Sequence, residues 1–390
     1  MTEATLPRTA RFDRLGTLLG VTGVAALAGL SFVLVKANRI VPGIPRSLLE
    51  AAPPLAGWAC LACLALAATA ALFVFNARLR LGAALLGIGA LLLALGAAGD
   101  ALTPLGNRVV RISAGPAFWV VLVCLGLMAT DAITRMRPGP ARRVLWLAGF
   151  IAVAVLALKS GRFDHLSVMR EYAVNAERFS RELLRHVLLA AGSLGAAALA
   201  GLPLGIACYR VPRIREAILG ALNVIQTIPA IALFGILMAP LGALAAAVPL
   251  AGRLGIRGIG AAPAVVALFL YSLLPIVANT VQGLRRVSRQ AVEAARGMGM
   301  TPGQVLLRVE MPLALPVIVT GVRVVLVQNI GMVTVAALIG GGGLGTFVFQ
   351  GIGQTAIDLV LLGAIPIVAL AFSAAVVLDA LVEVMDRVKQ

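Results

Sequence analysis

The chain is built of long apolar stretches separated by short polar gaps. Ten runs of about 15 to 22 apolar residues stand out, near 16–35, 54–75, 81–98, 115–130, 144–158, 187–207, 218–239, 261–283, 316–340 and 356–380. A stretch of about 20 apolar residues is what an α-helix needs to cross a bilayer. The runs are rich in Leu, Ala and Gly and lack the alternation of an outer-membrane barrel, so length and composition favour helix over strand. The pattern predicts an all-α integral membrane protein with about ten transmembrane helices. The runs at 115–130 and 144–158 are the shortest.

Composition sharpens this. Of 390 residues, 61% are hydrophobic and 13% charged, with a mean hydropathy of +1.01. Soluble domains carry about a quarter charged residues, so that class is excluded, and disorder is excluded by the apolar content. The net charge of +17 comes almost wholly from Arg, with Lys only at positions 36, 159 and 389. These cations fill the gaps between runs, where membrane proteins place orienting charge. No basic patch with interleaved aromatics exists, which argues against nucleic acid as a partner.

With the N-terminus in the cytoplasm, 19 basic residues fall in cytoplasmic segments and 13 outside. Six of the 13 lie in 159–186, mixed with four acidic residues; without that segment the contrast is 19 to 7. Both termini are therefore expected to be cytoplasmic. Arg8, Arg11 and Arg14 precede the first run, which is about 20 residues long with no small-residue cleavage site, so it is expected to be a retained span. Trp58, Trp119 and Trp146 fall near span ends, as an aromatic belt requires. Cys60 and Cys63 have the spacing of a redox or zinc motif, but inside a membrane helix with no second ligand pair they are read as packing. Cys124 and Cys208 lie in or at the end of other apolar runs.

The polar stretch 159–186 divides the chain. It looks amphipathic and is expected to lie along the outer surface as a linker. Before it, 1–158 forms a five-span accessory module. After it, 187–390 forms a five-span core richer in Pro, Asn, Gln and glycine clusters.

The cytoplasmic loop 284–315 has internal design. Val287, Ala291, Ala294, Ala295 and Met298 recur at helical spacing and make an apolar stripe. Gly299 follows, where a helix commonly ends in a left-handed residue. Thr301-Pro302-Gly303-Gln304 reads as a capping box with Pro at the first helical position. A second short helix should run over 302–310 and stop at Met311-Pro312. The chemistry alone leaves two readings: a rigid knob presented to the cytoplasm, or an amphipathic loop lying on lipid.

The residues of this loop resemble the EAA motif of permease subunits of bacterial ABC importers. That motif is Glu-Ala-Ala, three residues, Gly, nine residues, then Ile-x-Leu-Pro. Here Glu293-Ala294-Ala295 is followed after three residues by Gly299 and after nine more by Val309-Glu310-Met311-Pro312. The resemblance implies a type I importer core and assigns Glu293, Ala294, Ala295, Gly299 and Pro312 to the coupling helix that seats in the ATPase subunit. It also implies two permease chains for two ATPase subunits. No cofactor is expected in this chain: no Lys sits in a Walker A loop, so ATP and Mg belong to the partner ATPase. The glycine run 340–345 is better read as a tight turn or close packing.

A second resemblance concerns the solute. Asn223-Val224-Ile225-Gln226-Thr227-Ile228-Pro229-Ala230-Ile231-Ala232-Leu233-Phe234-Gly235 is similar to the hallmark segment of osmoprotectant permeases, as are 270–275, 336–340 and 347–351. The extra N-terminal half resembles the long form of these permeases, low-affinity importers of glycine betaine. The resemblance implies a translocation path. Asn223, Gln226, Thr227 and Pro229 sit at helical spacing in an apolar span, and Gln328 and Asn329 join them from the next-to-last span; polar groups at membrane depth face a wet pathway or bond to another helix. Both uses stay open for each residue. Arg323, Asp358 and Asp379 near span ends are expected to snorkel or pair. With aromatics at 5% there is no cage for a quaternary ammonium, which assigns high-affinity recognition to a separate periplasmic or lipid-anchored binding protein. Three other readings compete. An intramembrane enzyme would have only His165 and His186 as bases, both in the polar segment. A channel or secondary transporter would want relay carboxylates in the spans. An importer permease for another solute, such as methionine, shares the architecture.

Overall fold

The computed structural model describes residues 13–38, 41–73, 76–104, 109–253 and 255–387. Arg8, Arg11, Arg39, Arg108 and Lys389, used above to orient the chain, lie outside the described residues, as do both extreme termini. Two compact units are present: Met1–Gly139 with Gly149–Val174, and Pro140–Ala148 with Asn175–Gln390.

The first unit is built on α1 (Arg14–Gly29), β1 (Val33–Lys36), β2 (Ile44–Arg46), α2 (Leu48–Ala51), α3 (Pro54–Phe73), α4 (Ala77–Leu102), β3 (Arg111–Ala114), α5 (Pro116–Met136) and most of α6 (Pro140–Lys159). Local chemistry sets the starts. The side chains of Asp13 and Asn76 accept backbone N–H bonds at the N-termini of α1 and α4, and Pro opens α5 and α6 where its missing N–H costs nothing. The strands form an antiparallel sheet in the order β2-β1-β3, with Val33 opposite both Arg46 and Ala114. No sheet was predicted by the sequence pattern, because four-residue strands leave no periodicity to read. Pro45 sits on edge strand β2, where a missing donor is harmless. Phe32, Cys60, Leu64, Leu91, Ile112 and Phe118 form the core. Arg80 is fully buried and bonded to Asp13, with Asp131 at 3.4 Å.

The second unit comprises α7 (Ser167–Arg210) from Asn175 onward, α8 (Pro212–Thr227), α9 (Ala230–Ala247), α10 (Pro249–Arg253), α11 (Ala261–Arg285), α12 (Arg289–Gly297), α13 (Pro302–Val305), a π-turn over Leu306–Glu310, α14 (Met311–Ala336), a 3-10 turn over Ala337–Ile339, α15 (Gly345–Gly353) and α16 (Ile357–Arg387). Small residues let these helices approach closely. A Cβ on Gly205 would lie 2.6 Å from the Thr280 side chain, and one on Gly321 2.7 Å from that of Asn279.

Nine described helices are long and apolar enough to cross a membrane, and α1, with 16 residues, is a shorter apolar helix. Each of the ten predicted runs thus contains an apolar helix, but the 16–35 run is helical only to Gly29, because its end from Val33 is paired as strand β1. There are four further differences. First, α5 and α6 are full-length at 21 and 20 residues, because paired charges extend their ends beyond the apolar window. Second, 159–186 is no separate surface linker: from Ser167 it is the leading part of one 44-residue helix that continues through the 187–207 run. Third, the 218–239 run is two helices, broken at Ile228-Pro229. Fourth, the helix from Pro302 does not stop at Pro312. The π-turn, closed by the Met311 N–H on the Leu306 carbonyl, makes room for the proline ring, so the backbone stays helical to Ala336.

Candidate functional site

The loop 284–315 is two helices joined by a stiff elbow. Ser288 caps α12 by accepting from the Ala291 N–H at 3.2 Å. At the far end of α12 the Met300 N–H donates to the Ala295 carbonyl (3.2 Å) and the Gly299 N–H to that of Arg296 (2.9 Å). This is a Schellman arrangement, and it requires the left-handed residue that Gly299 supplies at φ 80°. Thr301 and Gln304 then form the reciprocal capping box, with the Thr301 N–H on Gln304 Oε1 at 2.9 Å. Ala295 is buried, whereas Glu293, Ala294 and Gly299 are exposed. Met298 and Leu307, 72% and 69% exposed, stand out from the two helices.

The root of the elbow is held from α7. Glu310, 2% exposed, accepts from Tyr209 Oη at 3.1 Å and pairs with Arg210 Nη2 at 2.9 Å. Leu284, Ala314 and Ile318 pack beneath it with Ile206 and Met311. The sequence reading passed over Glu310, which stands at the variable position of the motif. A lone acid beside an apolar span with Tyr209-Arg210 at another span's end was the available signal. Pro312 follows, exposed, as the second residue of α14.

The polar residues at membrane depth separate into three groups. Gln226 and Tyr271 are bonded to each other's helix: Gln226 Nε2 donates to the Tyr271 carbonyl at 2.8 Å, and Tyr271 Oη donates to the Ile228 carbonyl. Pro275 removes the N–H that would have bonded the Tyr271 carbonyl, and Gln226 replaces it. Asn223, Thr227 and Pro229 are exposed beside this break, with Thr227 Oγ1 donating to its own helix at the Val224 carbonyl (2.7 Å). Asn329 is fully buried, and its Nδ2 lies 3.0 Å from both Ser193 and Ser272 and 3.4 Å from the Ala190 carbonyl. It ties three helices together and has no amide hydrogen left for a passing solute. Gln328 is half-buried against Met332. The structure therefore brings Asn223, Gln226, Thr227 and Pro229 to one break and sets Asn329 apart.

Of the ionisable residues near span ends, Arg323 and Asp379 are paired. Asp379 binds both Arg143 (2.6 Å) and Arg323, and Arg143 also binds Glu383. Asp358 is 6% exposed at the start of α16.

Comparison with known proteins fits this arrangement. Residues 13–169 match the N-terminal domain of the ABC transporter permease YehY, and residues 198–389 match the binding-protein-dependent transport system inner membrane component. The chain is 43% identical to the osmoprotectant import permease protein OsmW of Salmonella typhimurium, over 50% of this chain and 86% of that one. It is 39% identical to the choline transport system permease protein OpuBB of Bacillus subtilis, over 48% and 78%. It is 37% identical to the carnitine transport permease protein OpuCD of Listeria monocytogenes, over 56% and 91%. A solved structure of the MetNI methionine ABC transporter in an inward-facing conformation is 22% identical, with a TM-score of 0.47 over 53% of this chain and 95% of that one. The chain belongs to the family of binding-protein-dependent ABC importer permeases. It is a transport subunit and a multi-pass protein of the inner membrane.

Proposed function

We propose that this chain is the membrane-spanning subunit of an ATP-driven importer of glycine betaine or a related quaternary-ammonium osmoprotectant. The elbow at Gly299 carries the reading: a capped, left-handed turn between two short helices, rooted on α7 through Glu310, is stiff enough to pass a rigid-body push into α14. Glu293, Ala294, Gly299 and Pro312 form the coupling surface for an ABC ATPase subunit, with Met298 and Leu307 as apolar contacts; Ala295, expected on that surface, is buried and packs α12 from behind instead. ATP and Mg are bound by that partner, and this chain holds no cofactor of its own.

Two permease chains assemble to receive two ATPase subunits. The path lies beside the break at Ile228-Pro229, where Asn223 and Thr227 stay exposed at a depth at which lipid would penalise them; Gln226 holds the break open and Gln328 is at hand on α14. A periplasmic or lipid-anchored binding protein delivers the solute, and both termini face the cytoplasm. The relatives named for osmoprotectants, choline and carnitine support the solute class.

Uptake of labelled glycine betaine, choline and methionine into cells expressing the permease with its ATPase and binding protein tests this. Uptake of betaine or choline is expected. Uptake of methionine alone overturns the solute class, and uptake that persists without the ATPase overturns the mechanism.

A further inference from the structure

Helix α7 touches the α13–α14 rod at three heights. At the elbow end, Tyr209 and Arg210 hold Glu310; midway, Ala190 and Ser193 hold Asn329. At the other end, Glu182 and His186 hold the glycine turn that joins α14 to α15. The Gly343 N–H donates to Glu182 Oε2 at 2.6 Å and the Leu344 N–H to His186 Nδ1 at 3.2 Å. His186 Nε2 lies 2.9 Å from the Ile330 carbonyl, which makes it the protonated nitrogen of a neutral ring. Glu182 and Arg210 stand about 42 Å apart along α7.

The turn itself needs holding. Gly340, Gly342 and Gly343 are at φ 77°, 80° and 84°, so the segment is made of residues with many competing conformations. The Gly340 and Gly341 N–H groups close onto the Ala337 and Ala336 carbonyls, and those of Gly343 and Leu344 are bonded by α7 side chains. Arg178, one turn before Glu182, reinforces the contact: it donates to Gln350 at 2.8 Å and lies 5.1 Å from the centre of the Phe347 ring, both on α15.

We propose that Glu182 and His186 are positioning residues for transport, latching the 340–344 turn and α15 to the end of α7 opposite the elbow. Because α7 grips the rod at both ends, movement of the elbow carries the latched turn with it. The latch ties opening at that face of the bundle to ATP hydrolysis at the other. Without it, the elbow still moves and the ATPase still turns over, but the turn no longer follows. This inference rests on the transport reading above.

The test uses the assembled transporter reconstituted in lipid vesicles, with Glu182→Ala and Glu182→Gln. Glu182 is only half-buried, and glutamine keeps an oxygen that accepts from Gly343. Loss of a charge-assisted bond predicts roughly tenfold faster hydrogen exchange at the Gly343 amide in Glu182→Ala. It also predicts a severalfold rise in ATP hydrolysed per betaine imported, with both effects largely restored in Glu182→Gln. Unchanged exchange and unchanged ATP per solute in Glu182→Ala overturn the proposal, as does a glutamine variant as uncoupled as the alanine one. Failure of the unmodified transporter to import betaine would instead strike the solute assignment, while exchange at Gly343 in the alanine and glutamine variants still reports on the latch.

Discussion

Gln226 and Tyr271 repair each other's helices. The Gln226 amide bonds the carbonyl that Pro275 leaves free, and the Tyr271 hydroxyl bonds the carbonyl of Ile228 at the break before Pro229. Pro275 is tolerable at this depth because Gln226 takes the oxygen it orphans, and the extended break is tolerable because Tyr271 takes the Ile228 carbonyl that no helix bonds. Tyr271→Phe removes one of these bonds without changing the packing, since Tyr271 is 5% exposed. It is expected to cost about 1–3 kcal/mol for the unsatisfied Ile228 carbonyl. Thermal unfolding in lipid nanodiscs reads that loss, and uptake should fall with it. A melting temperature equal to the parent's would mean that the break needs no such support.

The grip on Glu310 predicts an asymmetry. Glu310 is 2% exposed and Arg210 is 37% exposed at its side chain. Glu310→Ala frees an arginine that can turn to water, so the cost is expected to be about 1–3 kcal/mol. Arg210→Ala strands a carboxylate in the interior and is expected to cost more, roughly 3–5 kcal/mol. Paired melting curves of the two variants decide this. Equal losses would show that the carboxylate is not held as a buried ion.

Acid should loosen the first unit through Asp13. Burial pushes its carboxyl up, but hydrogen bonding and charge from Arg80, with Arg135 adding to the attraction, outweigh that and hold it below the usual carboxylate range. The stabilisation is therefore fully present above the ordinary aspartate value of about 4 and is lost as pH falls through the lowered value. Melting temperature followed downward from pH 6 should fall more steeply in the parent than in Asp13→Asn, which begins less stable. Parallel curves would rule out this contribution.

How far the sequence disclosed all this differs from element to element. The spans were legible because apolar length at membrane scale has few other meanings. The elbow was legible because Gly299, Thr301 and Gln304 each have a specific local use, and all three are used so. The continuation past Pro312 was not, since a π-turn leaves no mark on hydropathy. Nor was the single 44-residue helix α7: its polar beginning resembles a solvated surface helix until Glu182 and His186 are seen to face the glycine turn. Asn329 and Gln226 read alike as polar residues in apolar runs. Only the geometry separates a buried tie between three helices from a residue beside an exposed break.

Gly299 isolates backbone strain from packing. An added Cβ there would meet no atom within 4 Å, yet φ is 80°. Substitution therefore leaves the neighbours alone and charges only the left-handed conformation, about 1–2 kcal/mol for an ordinary residue and more for a β-branched one. Gly299→Asn should retain most uptake, because asparagine visits this region readily. Gly299→Ala should lie between, and Gly299→Val should abolish transport while the protein still inserts in the membrane at parent levels. Membrane abundance by immunoblot, measured alongside uptake, separates lost coupling from lost protein. Normal uptake by Gly299→Val would mean that the elbow does not need its left-handed turn, and a rank order that follows volume instead, with alanine retaining more uptake than asparagine, would require some crowding partner docked against this face.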